Sequence, residues 1–127
     1  MTVLYKAAAV KSYFDPEQKI RYVARPCKRV VIDTDAMSKL IADRSTLSRA
    51  DIVATLYAFE ELIPELLLKN YSVHLKPLGI FSLSFKSKAE DEMAKVNSKS
   101  ITDIRLQFKP DVALRNGVKQ AKFEKGE

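Results

Sequence analysis

The chain has 127 residues, 46% of them hydrophobic and 30% charged, with 22 basic and 16 acidic side chains for a formal net charge of +6. That is the size of one domain with enough apolar mass for a core, which argues against global disorder, and no stretch approaches the ~20 apolar residues of a membrane span. Cys27 is the only cysteine and His74 the only histidine, which excludes an internal disulfide, argues against a zinc site and points to a reducing cytoplasm.

Lys6 and Lys11 interrupt the apolar part of the N-terminus, so no secretory leader is expected. Residues 3–10 and 19–25 flank the turn chemistry of Asp15-Pro16-Glu17. In the second run Ile20, Tyr22 (or Val23) and Ala24 alternate with Lys19, Arg21 and Arg25, so the pair predicts a β-hairpin. Pro26 ends it, and Cys27 to Ile32 has the composition of a further short strand. The role expected of this hairpin is to extend or cover a main sheet, not to form a separate binding site.

Asp33-Thr34-Asp35 supplies a capping oxygen and negative charge for a helix start, and Met37, Leu40 and Ile41 lie at i, i+3 and i+4. Ser45-Thr46-Leu47 interrupts this stripe. Ser48-Arg49-Ala50-Asp51 is then a capping-box variant with Asp in place of Glu. The helix it opens carries Ile52, Val53, Leu56, Phe59, Ile63, Leu66 and Leu67 on one face, widened by Tyr57. It is too apolar for the surface of a small monomer. Pro64 should bend it or end it early.

Val73 and Leu75 then alternate with His74 and Lys76, and Phe81, Leu83 and Phe85 alternate with Ser82 and Ser84, about a Pro77-Leu78-Gly79 break. Two strands with one apolar face follow from this pattern, with Gly79 expected at a positive φ and Phe81 in the core. Lys86 to Ser100 has no strong apolar period, and Ala89 to Ser98 reads equally as a loop or a short helix. Ile104, Leu106 and Phe108 restore alternation. Pro110-Asp111 opens a short final helix with Gly117 near its end. In the charged segment from Lys119 to Glu127, Phe123 is an anchor and a short closing strand has room to form.

No nucleophile elbow, phosphate-cradling glycine loop or metal-ligand spacing is present. His74 reads as an ordinary surface or half-buried histidine, and Glu60-Glu61 as solvated charge. Asp33, Asp35 and Asp43 lack the spacing and glycine of a calcium loop. The chain does not read as an enzyme, and no cofactor, metal or small-molecule substrate is expected. Net charge runs +5 over residues 1–32, −3 over 33–72, +2 over 73–108 and +2 over 109–127. A basic surface suits an anionic polymer, although +6 at this size also serves solubility alone.

Two blocks, in order along the chain, carry a resemblance. Val73 to Phe85, VHLKPLGIFSLSF, resembles the V-x-L-x-G-F-G-x-F strand-turn-strand of the bacterial histone-like HU and integration-host-factor family. Phe108 to Arg115, FKPDVALR, resembles its F-K-P-G-K-x-L-K. Pro77 replaces the first glycine of the turn, and Val112 stands where lysine is usual. With Asp35 to Leu68 fitting the opening helical hairpin, the match covers roughly residues 35–118. The leading segment resembles that of longer HU-related proteins with an N-terminal extension. The resemblance implies an α+β fold in a single HU-like domain: a β extension over 1–32, a core over 33–118 and a charged tail over 119–127. The core would hold a two-helix hairpin, a β-sheet with an arm and a short C-terminal helix, intertwined as a homodimer.

The resemblance further implies a saddle whose arms, residues 86–107, embrace double-stranded DNA. Lys86, Lys88, Lys99, Arg105 and Lys109 match the basic arm and arm-base zones, Arg115 matches a lysine of the final helix, and Lys95 lies where the arm aligns loosely. Singly, each is a solvated surface charge. The family's arm tip carries an Arg-Asn-Pro motif whose proline wedges between base pairs. No proline lies between Phe85 and Pro110 here, and Glu90-Asp91-Glu92 interrupts the basic run. The expected function is architectural: binding of double-stranded DNA with little sequence preference, in the nucleoid and away from membranes. The alternative is a dimeric HU-fold interaction module that has lost DNA binding, which a short, acidic or folded-back arm favours.

Overall fold

The computed structural model describes residues 2–126. In chain order the elements are β1 (Thr2–Lys11), β2 (Ile20–Pro26), α1 (Thr34–Ala42), α2 (Arg49–Leu68), β3 (Val73–Leu75), β4 (Gly79–Ser87), β5 (Ile101–Pro110), α3 (Val112–Lys119) and β6 (Lys122–Lys125). They fall into two units, Met1–Val31 with Gly117–Glu127 and Ile32–Asn116, and α3 crosses the boundary between them.

In the first unit β1 pairs antiparallel with β2 and parallel with β6, giving a sheet of order β2-β1-β6. The N-terminal hairpin is therefore formed, and the closing strand is β6. Cys27 to Ile32 is not a strand, against the expectation from its composition. The amide of Cys27 still reaches the carbonyl of Leu4 at 3.2 Å. Beyond it the residues have no strand to pair with, and Val30 and Val31 stand exposed. A β-favouring composition makes a strand only where a ladder partner exists.

In the second unit the helix caps follow the sequence. The Asp33 carboxylate accepts from the Ala36 amide at 2.9 Å and the Ser48 hydroxyl accepts from the Asp51 amide at 3.1 Å. α2 does not end at Pro64 but runs four residues further. Losing one intrahelical bond and crowding the preceding turn costs about 3 kcal/mol. Burial of Leu67 on the far side of the proline offsets it. The stop comes instead at Asn70, whose φ of 70° is left-handed. The amides of Asn70 and Tyr71 close back on the carbonyls of Leu67 and Leu66, a Schellman cap with asparagine in the glycine position.

The second sheet has order β3-β4-β5, antiparallel throughout. Its register places Val73, Leu75, Phe81, Leu83, Phe85, Ile104, Leu106 and Phe108 on one face, as the alternation predicts. The Phe81 and Phe108 rings lie directly opposite, with centroids 4.8 Å apart. Phe81 is half-buried and not fully enclosed.

Gly79 has no positive φ, which corrects the expected reason for its presence. The chain reverses across a cis Lys76–Pro77 peptide, where the Leu78 amide bonds the Leu75 carbonyl at 2.7 Å. Glycine is needed at position 79 because a Cβ there would sit 2.5 Å from the Lys109 carbonyl oxygen and 2.6 Å from the Phe108 ring. The constraint is close backbone approach, not dihedral freedom.

Among the described residues only two large hydrophobic side chains are buried, Ile52 and Leu67. The chain exposes 11373 Å². Separate compact bodies of the two units' sizes would expose about 8,000 Å² between them, whatever their arrangement. Much of the excess is apolar. An open groove of ≈420 Å³ runs between α2 and the second sheet, lined by Phe59, Ile63, Leu67, Phe81, Leu83 and Leu106.

Candidate nucleic-acid interface

The polar face of the second sheet is built by the same alternation that builds its apolar face. Ile80 pairs with Lys109, Ser82 with Gln107, Ser84 with Arg105 and Lys86 with Asp103. Lys86, Arg105 and Lys109 thus share one face, away from the groove. Their positive charge is partly answered on the spot. The Arg105 guanidinium donates from Nε to Asp103 at 2.8 Å, and Asp103 also stands opposite Lys86.

The ladder between β4 and β5 ends at Ser87 and Ile101, after a register shift beside Lys86. Residues 88–100 leave the sheet as a closed loop of two short 3₁₀ turns, Met93–Lys95 and Ser98–Ser100. The Lys88 amide bonds the Ser100 carbonyl at 2.9 Å. The buried Ser100 hydroxyl donates to Glu90 at 3.1 Å and accepts from the Asn97 amide at 3.2 Å. The Lys88 ammonium lies 3.8 Å from Glu90. An extended two-stranded arm over 86–107 is therefore not formed. Residues 101–107 stay in the sheet, and Glu90 and Ser100 tie the remainder shut.

Of the expected site residues, the structure gathers Lys86, Arg105 and Lys109 on one sheet face. It places Lys88, Lys95 and Lys99 on the closed loop, and Arg115 on α3. Lys95, Lys99 and Arg115 are exposed and have no ion-pair partner among the described residues. The pairing of Arg105 with Asp103 and of Lys88 with Glu90 was missed. Its signal was an acid two residues away in each case. His74 lies 2.8 Å from Asp111 through Nε2, a contact across 37 residues that no local pattern announces.

Among the described residues no group of three or more His, Cys, Asp or Glu side chains could hold a metal ion. No helix among them is long and apolar enough to cross a membrane.

A two-helix hairpin beside a three-stranded antiparallel sheet, followed by a short helix and preceded by a β-hairpin, is an α+β arrangement of the HU type. The sequence comparison agrees. Residues 1–125 match the family described as HU domain fused to wHTH, Ig, or glycine-rich motif, and the chain belongs to that family, whose HU-fold members are structural and not catalytic. None of the curated proteins matches the chain. Its fold is similar to a 2.25 Å crystal structure from Bacteroides vulgatus ATCC 8482, provisionally described as a bacterial DNA-binding protein. That match has a TM-score of 0.64 at 17% identity and covers 98% of this chain. The chain spans about half of that protein, 49% of its length.

Proposed function

We propose that the protein is a homodimeric architectural module of the nucleoid that binds double-stranded DNA with little sequence preference. The observation that carries this reading is the match to an HU-domain family along nearly the whole chain, on a protein with a net charge of +6. The description of the Bacteroides vulgatus protein points the same way. A second copy of the chain is the occupant that best suits the groove between α2 and the sheet, because it is apolar and because the single chain leaves it open. Lys86, Lys88, Lys95, Lys99, Arg105, Lys109 and Arg115 are the phosphate contacts this reading assigns by family position.

The test is duplex binding measured against salt. Affinity should fall with a log–log slope of about −0.9 per phosphate neutralised, and equally for unrelated sequences. The thermal midpoint should rise with protein concentration. A monomer at micromolar concentration would remove the dimer, and absence of binding at low salt would remove the DNA reading.

One observation favours a second reading, a dimeric HU-fold interaction module without DNA affinity. The loop that replaces the arm is closed and carries Glu90-Asp91-Glu92, which would repel phosphate. The same titration separates the two.

A further inference from the structure

The positive charge of this protein does not lie on its HU-like core. Residues 32–116 carry twelve basic and twelve acidic side chains and are neutral. The other unit, residues 1–31 with 117–127, carries ten basic and four acidic, which is the whole net charge of +6 on a third of the chain.

The register sets four of those ten cations on one side of the β2-β1-β6 sheet. Lys6 pairs directly with Arg25, Val10 with Arg21 and Thr2 with Lys122. Directly paired residues, and residues two apart on one strand, share a face. Lys6, Arg21, Arg25 and Lys122 therefore stand on one face, and all four are exposed. The one acid on that face is Glu124, within 3.4 Å of the Thr2 hydroxyl. None of the four cations has an ion-pair partner among the described residues.

Lys6 opposite Arg25 is a like-charge cross-strand pair, which destabilises a sheet in the absence of a counter-charge. An anionic ligand supplies one. Arg21 and Arg25 lie about 13 Å apart at ~3.3 Å per residue, too far for one phosphate and suited to separate phosphates of an extended backbone. The opposite face, with Val3, Tyr22 and Phe123, also carries Lys11 and Lys125, but these stand opposite Ile20 and Tyr5 and form no like-charge pair.

We infer that the basic face of the N-terminal sheet is the main DNA-contacting surface, gripping the phosphate backbone of duplex DNA through Lys6, Arg21, Arg25 and Lys122. This rests on the DNA-binding reading above but moves the contact from the closed arm to the extension.

The experiment uses the full chain and two unrelated 30-base-pair duplexes, titrated between about 0.05 and 0.2 M salt. Lys6→Gln with Arg25→Gln should weaken binding to both duplexes by roughly eightfold per lost contact at 0.1 M. It should flatten the log–log slope by about 1.8 per chain engaged. The same variant should hold or raise its thermal midpoint, because a repulsive pair is gone; this separates lost contact from lost fold. Lys86→Gln with Lys109→Gln should weaken binding and flatten the slope by less than the Lys6/Arg25 change does, because the main contacts lie on the extension. Duplex binding that survives the Lys6/Arg25 change but is lost with the Lys86/Lys109 change overturns this inference alone. No duplex binding by the unaltered protein overturns the DNA reading and this inference with it, as does binding to poly-glutamate in its place.

Discussion

The two basic regions of the chain treat their charge in opposite ways. Around the second sheet, cations meet acids within a few residues: Arg105 contacts Asp103, and Lys88 lies near Glu90. In the β2-β1-β6 sheet, Lys6 faces Arg25 and neither meets a carboxylate among the described residues. Exposed ion pairs contribute little stability, so the first arrangement gains the fold almost nothing. What it changes is the field: a paired cation offers a phosphate less than an unpaired one does. A count of lysines and arginines therefore locates polyanion binding poorly until their partners are known. The family resemblance pointed to the arm, and the partition of charge points to the extension.

The sharpest way to break this division of labour is to attack assembly inside the neutral unit. Leu106 lines the groove and is 62% exposed in the single chain. If a second copy covers the groove, Leu106→Glu buries an unpaired carboxylate, worth about 3–5 kcal/mol, and raises the dimer dissociation constant more than a hundredfold. Sedimentation at micromolar concentration reads this directly. An unchanged association would place the interface elsewhere, and with it any role for the neutral unit as the assembly module.

A smaller effect is expected at the turn of the same unit. Gly79→Ala must displace the Lys109 carbonyl or the Phe108 ring and should lower the unfolding free energy by about 1–3 kcal/mol in a denaturant titration. Its salt slope for DNA should stay that of the unaltered protein once refolded fraction is matched, because nothing basic on the N-terminal sheet is touched. A lowered slope would mean that the two units do not act separately.

The least change is expected from freeing the arm's cations. Asp103→Asn with Glu90→Gln leaves Arg105 and Lys88 unpaired. Duplex affinity should rise by less than about eightfold per freed cation at 0.1 M salt. A larger rise would make the second sheet, and not the first, the principal contact.

Local chemistry was well written in the sequence. Asp33 and Ser48 cap their helices because a short side-chain oxygen can reach an amide two or three residues on, and nothing distant competes. The alternation of Val73, Leu75, Phe81, Leu83 and Phe85 set the apolar sheet face because a strand has a period of two everywhere. Four other features needed distant partners. Gly79 is glycine because of Phe108 and Lys109, thirty residues away. Pro64 does not end its helix because packing beyond it outweighs a local preference. Residues 27–32 lack a strand partner, and the arm is closed by Glu90 and Ser100.

The sequence by itself determined most of the element types, the helix starts and the two-faced second sheet, since each follows from neighbours within about one turn or one strand, and two separated blocks pointed to the HU family. Only the tertiary structure decided where the charge is available. It set Lys6 against Arg25 across two strands and Arg105 against Asp103 along one. Electrostatic interaction depends on distance in space, and register, not composition, fixes that distance.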